Sequence, residues 1–173
     1  MSGQAEDGPR LLPTGVPPTG QVAFVVTDLD VAVERWRHLG FGPWNVWTFD
    51  ERRLPKMLYR GEQGSFAMRL ALCSIGPVTY ELIQSLRGPN IYDDFLEERG
   101  PGVHHLGYYV DEIDGAIAAM EAKGYPMVQA GWGFGVDGDG AFAYFDTVDD
   151  YGCYYEAILG PRALPDPEEH VPL

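Results

Sequence analysis

Apolar positions along the chain switch between two periods. QVAFVV, residues 21–26, is short, β-branched and aromatic, and reads as a strand. In TDLDVAVERWRHLGF, residues Leu29, Ala32, Val33, Trp36 and Leu39 recur at helical spacing and form one apolar stripe. Asp28 stands where an N-cap belongs and Gly40 where a left-handed C-terminal residue belongs. KMLYR, FAMRLALCSI and VTYELIQ read as strands, and PNIYDDFLEERG as a short helix. HLGYYV is again a strand and DEIDGAIAAMEAKGY again a helix; AFAYFDT and CYYEAIL close the pattern as a β-hairpin. Residues 1–19 and 161–173 are rich in Gly and Pro and carry no period. They read as a flexible arm and tail around a folded part at 20–160.

The pattern repeats. Moved along by 84 positions, QVAFVVTDLDVAVERWRHLGF lies without a gap on HLGYYVDEIDGAIAAMEAKGY. Val26 meets Val110, Asp30 meets Asp114, Ala32 meets Ala116 and Gly40 meets Gly124. The helical stripe recurs as Ile113, Ala116, Ile117 and Met120. The half-ends VTYELI and CYYEAI align Tyr80 with Tyr155 and Glu81 with Glu156. This predicts an α+β fold of two tandem βαβββ modules, at about 20–86 and 102–160, with a connecting helix at about 89–100. Their joined sheets would curve as one mixed sheet around a cleft, with helices on the outer face.

Composition narrows the function classes. A length of 173 residues with 45% hydrophobic and 22% charged residues is that of a globular chain. The net charge of −14 excludes a nucleic-acid phosphate or an anionic membrane as partner, because both are held by Lys and Arg. Cys73 and Cys153 are too few for a disulfide framework and read as buried thiols. No apolar run approaches a membrane span, and the first residues lack the basic start and apolar stretch of a signal peptide. A soluble, cytoplasmic protein is the resulting expectation.

Strand alternation then sorts the polar residues. In QVAFVV, Val22, Phe24 and Val26 take one face and Gln21, Ala23 and Val25 the other. By the repeat, Leu106, Tyr108 and Val110 match the first set, and His105, Gly107 and Tyr109 the second. The uniformly apolar face should carry the helix, which points Gln21 and His105 into the cleft. Glu81 and Glu156 each sit in the middle of an apolar strand, a costly place unless paired or metal-bound. Gln21, Glu81, His105 and Glu156 thus form a pseudo-symmetric set offering one nitrogen and three oxygens, two of them anionic. That set neutralises a divalent cation and leaves room for water or substrate oxygen. Taken singly, a strand His is more often packed than ligating and a strand Glu more often half exposed; the matched placement of all four favours the ligand reading. Alternation sends His104 to the opposite side.

The duplicated βαβββ pattern resembles the vicinal oxygen chelate superfamily, which includes glyoxalase I, methylmalonyl-CoA epimerase, extradiol dioxygenases and bleomycin-resistance proteins. FLEERGPGVHHLGYYVDEID is similar to the middle of methylmalonyl-CoA epimerases, where a helix ending in Gly runs into a His-His strand. The resemblance covers about residues 20–160 and implies Gln21, Glu81, His105 and Glu156 as metal ligands, one per strand. That set resembles the ligands of eukaryotic glyoxalase I, whereas epimerases more usually carry His, Gln, His and Glu. Glyoxalase I typically has an Arg four residues after its first ligand and an Asn four residues after its second. Val25 and Ser85 stand there, which speaks against a glutathione hemithioacetal. With one His among the four positions, the two-His, one-carboxylate iron site of extradiol dioxygenases is not matched.

Other motifs carry less. Gly133 to Gly138 spells GxGxxG, but a strand follows it where a dinucleotide site needs a helix, so it reads as a hairpin loop or lid. Asp137-Gly-Asp-Gly lacks the closing Glu of a calcium loop. Trp44, Trp47, Phe49 and Tyr59 read as core packing, of which some could wall an apolar pocket. Arg52, Arg53 and Lys56 form the one close basic grouping and read as a solvated loop. The expectation is an isomerase, epimerase or lyase of the glyoxalase type that removes a proton next to a carbonyl through a metal-stabilised enolate. Glu156 and Glu81 would be the bases and Zn, Ni, Co, Mn or Mg the cofactor. The substrate would be a small carbonyl compound or acyl thioester, and the assembly a homodimer. The other reading is a metal-free protein that sequesters a small molecule, as bleomycin-resistance proteins do.

Overall fold

The computed structural model describes residues 17–173; most of the expected N-terminal arm, residues 1–16, lies outside the described residues. The chain runs β1 (Gln21–Val25), α1 (Leu29–His38), β2 (Trp44–Phe49), β3 (Lys56–Tyr59), β4 (Glu62–Gln63), β5 (Ala67–Ile75), β6 (Val78–Arg87) and α2 (Ile91–Arg99). It continues through β7 (Gly102–Tyr109), α3 (Ile113–Glu121), β8 (Met127–Phe134), β9 (Gly140–Phe145), α4 (Val148–Tyr151), β10 (Tyr154–Leu159) and β11 (Glu169–Val171). All strands join one curled mixed sheet, in the order β11-β2-β5-β6-β1-β7-β10-β9-β8-β3-β4.

The two modules meet at the antiparallel pair β1–β7, and each of those strands runs parallel to the last strand of its own module, β6 or β10. The local signals act as expected at the helix ends. The Asp28 carboxylate accepts the Val31 N–H at 3.0 Å, and Gly40 and its counterpart Gly124 adopt φ of +89° and +91°. Helix α1 buries Leu29, Ala32 and Val33 against Trp44, Val46, Ala71, Cys73 and Leu82 on the convex face. Helix α3 covers the equivalent face of module two with Ile113, over Ala130, Ala143, Phe145 and Ala157.

Three elements depart from the sequence-based expectation. Trp44–Phe49, read from the sequence only as aromatic core packing, is itself a strand of module one, paired with β5. Lys56–Tyr59 leaves its own module and pairs with β8 at the far edge of the sheet, so module one reaches across the cleft. Helix α2 is not on the outer face: Ile91, Tyr92 and Phe95 pack into the cluster of the concave face with Val25, Ile83, Tyr144 and Tyr154.

The C-terminal residues are not a free tail. β11 pairs antiparallel with β2, and Glu168 N–H donates to the Val46 carbonyl at 2.9 Å. Trp47 Nε1–H donates to the Pro165 carbonyl at 2.9 Å, and Val136 N–H to the Ala163 carbonyl at 2.9 Å. The segment after β10 is therefore a strap tied to both banks of the cleft. No periodic pattern announces it, because it is held by scattered single bonds of main chain and side chains and not by an apolar stripe. Cys73 and Cys153 are buried free thiols, and burial pushes the pKa of both up. Among the described residues no helix is long and apolar enough to cross a membrane.

Candidate functional site

The four central strands put two short rows of side chains on the concave face. In one row Glu81 on β6, Ala23 on β1 and His105 on β7 lie side by side. In the other, Gln21 on β1, Gly107 on β7 and Glu156 on β10 do the same. Each row is polar, small, polar. The small residues, Ala23 and Gly107, are equivalent in the repeat, and each lets the side chains on either side lean together over it. A Cβ at Gly107 would stand 3.0 Å from Gln21 Cβ and 3.2 Å from Glu156 Oε2. The repeat marks both residues in the sequence, yet attention to polar residues alone passes over them.

All four predicted side chains therefore come together, from one chain, and all are buried, with exposures of 7% or less. His105 Nε2 is their meeting point. Gln21 Nε2 lies 3.2 Å from it, Glu81 Oε2 3.0 Å and Glu156 Oε2 3.1 Å. Gln21 Nε2–H also donates to Glu81 Oε2 at 2.8 Å. One ring nitrogen carries a single hydrogen or a single lone pair, so it cannot satisfy three neighbours. Glu156 Oε2 is left buried without a hydrogen bond.

Electrostatics follow from this crowding. Burial alone would lower the His105 pKa, but the Glu156 and Glu81 carboxylates override it and hold the imidazole up at about 9. Burial pushes the Glu81 carboxyl above the usual range, against the opposing pull of His105. The neighbouring phenols, Tyr92 and Tyr144, are raised by burial and stay neutral; Tyr92 O–H donates to Tyr144 at 3.1 Å, and the Tyr144 ring meets His105 edge-on at 5.0 Å.

His104 corrects the alternation argument. Across from β7, Phe24 pairs with Val103 and Ala23 with His105, so His104 is the extra residue of a β-bulge. The bulge turns it to the same side as its neighbour. His104 Nδ1 lies 2.9 Å from His105 Nδ1, within a cage of Tyr92, Phe95, Tyr144 and Tyr154. Burial, then the charge of His105, pushes its pKa well down, so it is neutral.

Gln21, Glu81 and Glu156 form the floor of a cavity of about 120 Å³, and His105 lies fully buried in contact with all three. Trp47, Phe49, Leu70, Phe134 and Phe142 wall it, and Pro161 and Leu164 of the strap close over it. Of the expected aromatic group, Trp47 and Phe49 are thus pocket wall. Trp44 is core beneath α1, and Tyr59 donates its hydroxyl to Asp94 at 2.8 Å. Val25 is core, and Ser85 accepts a hydrogen bond from Asn90 at the start of α2. The GxGxxG segment, 133–138, runs from the end of β8 into the β8–β9 hairpin loop.

The residues fit a divalent ion in two respects and must rearrange in one. Separations of 2.8–3.2 Å among the polar atoms are those of adjacent ligand atoms around an ion with bonds of about 2.1 Å, whose octahedral edges are about 3.0 Å. The unpartnered Glu156 oxygen is a free lone pair at that point. The side chains touch one another without enclosing an ion-sized centre, so an ion would replace those contacts, with the Gln21 amide turned to present its oxygen.

Residues 20–145 match the sequence model of the Glyoxalase/Bleomycin resistance protein/Dioxygenase superfamily. Among solved structures, a methylmalonyl-CoA epimerase from Mycobacterium tuberculosis superposes with a TM-score of 0.59 at 22% identity, covering 85% of this chain and 88% of that one. A variant of the Streptomyces coelicolor methylmalonyl-CoA epimerase, in complex with 2-nitronate-propionyl-CoA, gives 0.60 at 20% identity, with 82% and 96% covered. A hypothetical protein from Bacillus halodurans gives 0.61 at 17% identity, with 86% and 98% covered. At these identities the likeness is one of fold. No curated protein matches the sequence significantly.

Proposed function

The chain belongs to the Glyoxalase/Bleomycin resistance protein/Dioxygenase superfamily, and from that membership we propose that it is a metal-dependent isomerase or epimerase that removes a proton next to a carbonyl. The observation that carries this reading is the convergence of Gln21, Glu81 and Glu156 on His105 Nε2, with Glu156 Oε2 left without a partner. Two buried carboxylates, an imidazole and an amide are a poor structural core and a good donor set for a divalent cation. The similarity in fold to methylmalonyl-CoA epimerases agrees with it.

In this reading Gln21, Glu81, His105 and Glu156 hold the ion, which when bound supplies a Lewis acid for the substrate carbonyl oxygen. The chain's own residues do the rest. Glu156 takes the proton from the carbon next to the carbonyl, through the carboxylate oxygen that does not face the ion. Glu81, on the other side of His105, returns a proton from the second direction. Burial has already made Glu81 a stronger base than a free carboxylate. Aromatic walls and the strap keep water from the resulting carbanion. The substrate is a small carbonyl compound or an acyl thioester.

A second reading has its own observation. Gln21 already donates to Glu81, and a protonated His105 lies within 3.0–3.1 Å of both carboxylates and offsets part of their charge without an ion, as a metal-free protein that sequesters a small molecule would need. Metal analysis of protein purified without added metal tests both readings. About one divalent ion per chain, lost on Glu156→Gln plus His105→Gln, supports the enzyme. A metal-free protein that takes up no Zn, Ni, Co, Mn or Mg overturns it in favour of the second.

A further inference from the structure

Resting on the proton-transfer reading, we propose that this site takes a small, uncharged ketone or aldehyde whose apolar body is about the size of a six-membered ring, in preference to a coenzyme A thioester. Four observations converge on that choice. The cavity measures about 120 Å³, slightly below the roughly 150 Å³ of an apolar cavity that holds benzene, so a single ring is the upper limit for what it encloses. Its walls are Trp47, Phe49, Met68, Leu70, Phe134 and Phe142. Its only charged side chains are Glu81 and Glu156 on the floor, and no Lys or Arg lines it among the described residues. An ion on that floor would balance those two carboxylates and leave no surplus positive charge to hold an anionic substituent.

The third observation is the strap. Pro161 and Leu164 lie over the cavity, and the bonds of Ala163 to Val136 and of Pro165 to Trp47 fix this segment to both banks. A pantetheine arm leaving the cavity would have to pass it. The fourth is the state of the basic residues around the strap. Arg53 is paired with Glu168 at 2.9 Å, Arg69 with Asp30 at 2.8 Å and Glu169 at 3.1 Å, and Arg52 with Asp50 at 2.8 Å. Arg162 faces Asp139 at 3.8 Å, and Lys56 lies over the Trp132 ring at 4.1 Å. Coenzyme A carries a diphosphate and a 3′-phosphate, which need free guanidinium or ammonium groups. Here each such group has a carboxylate or an aromatic face already. The neutral substrate needs none of them.

The test uses the full-length protein with cobalt added, and three probes: 2-methylcyclohexanone, the same ring carrying a carboxylate opposite the carbonyl, and methylmalonyl-CoA. Affinity is read from the quenching of tryptophan fluorescence and from saturation-transfer NMR, and reaction from deuterium uptake in D2O at the carbon bearing the methyl group. The neutral ketone should bind at least about 100-fold more tightly than either anion. Methylmalonyl-CoA binding as tightly as the ketone, or no binding of the ketone, overturns the substrate class. Selective ketone binding without deuterium uptake supports the ligand class and overturns the proton-transfer reading instead, so the two failures are distinguishable.

Discussion

His104 Nδ1 lies 2.9 Å from His105 Nδ1, and both rings are fully buried. The contact runs behind the site: it engages the ring nitrogen of His105 that faces away from Gln21, Glu81 and Glu156. Neutral His104 has one nitrogen free to accept there, which directs a hydrogen onto His105 Nδ1 and presents Nε2 to the donor set. An outer hydrogen bond of this kind typically governs metal affinity by about 10- to 100-fold. His104→Leu should therefore weaken divalent-metal binding by that order, while His104→Asn, which keeps an acceptor near the Nδ1 position, should retain most of it. Calorimetric titration with zinc, beside circular dichroism to confirm folding, checks both. Equal affinities for the Leu and Asn variants would reduce His104 to a packing residue.

Gly107 has a similar hidden role. An added Cβ would meet Ile158 Cδ1 at 2.7 Å, Gln21 Cβ at 3.0 Å and Glu156 Oε2 at 3.2 Å. Ile158 can move, but the Gln21 Cβ is fixed to its strand. Gly107→Ala should push the Gln21 and Glu156 side chains apart, costing about 1–3 kcal/mol of stability as overpacking does. Metal affinity should fall with it. Ala23→Gly, at the equivalent position of the repeat, adds no such clash and should leave metal affinity within a few-fold. Urea unfolding and metal titration of the two variants make the comparison.

Protonation and metal compete for the same nitrogen. Two carboxylates hold His105 up at about 9, so the metal-free site carries that proton at neutral pH. An ion requires the neutral imidazole, so binding at pH 7.5 should release about one proton, and affinity should rise about tenfold per pH unit up to about 9. Stability of the metal-free protein should move the other way. The folded pKa is raised above the usual value of about 6.5. The stabilisation is thus fully present below about 6.5 and lost as pH rises through about 9. Calorimetry in two buffers of different ionisation heat counts the proton, and thermal melts from pH 6 to 10 follow the stability.

The four-residue set was legible because the duplication supplies its own internal control. Gln21 and His105 are matched by the repeat, as are Glu81 and Glu156, and strand alternation put each on the concave face. What alternation could not anticipate is the bulge at His104, since one extra residue re-aims a side chain without leaving a compositional mark. The route of β3 to the far edge escaped for a related reason. KMLYR looks like a strand wherever it pairs, and only long-range packing selects β8 over β5. The strap was misread because Pro-rich sequence is aperiodic whether it is loose or, as with Pro161 and Pro165, fixed by single contacts.

The two glutamates should separate binding from chemistry. Glu156→Gln keeps an oxygen for the ion but cannot accept a proton, so folding and part of the metal affinity should survive while deuterium exchange falls by about 100-fold or more. Glu81→Gln should leave exchange from one direction intact and reduce racemisation more than exchange, because only the second proton donor is lost. Comparing loss of optical rotation with deuterium uptake in each variant separates the roles. If Glu81→Gln alone abolishes exchange, the assignments of the two residues are reversed.

The strap offers the last test, and it bears on specificity directly. A chain ended after Ala163 loses Leu164 from the cavity roof, the Trp47–Pro165 bond and the β11–β2 ladder. It also frees Arg53 from Glu168 and Arg69 from Glu169. Three consequences follow from those contacts. Trp47 gains water, so its emission should shift to the red. Folding should persist at reduced stability, by about 1–3 kcal/mol, because β2 remains paired with β5 and only edge bonds are lost. The cavity should become less discriminating, since the roof is open and the Arg53 guanidinium, which lies over the ring of the wall residue Phe49, has lost its carboxylate partner. The preference for 2-methylcyclohexanone over its carboxylate analogue should then shrink by about tenfold or more. Fluorescence, urea unfolding and the two dissociation constants, measured on the shortened and full chains side by side, give the answer. An unchanged preference in a folded, red-shifted protein would remove the strap from any part in selecting the substrate.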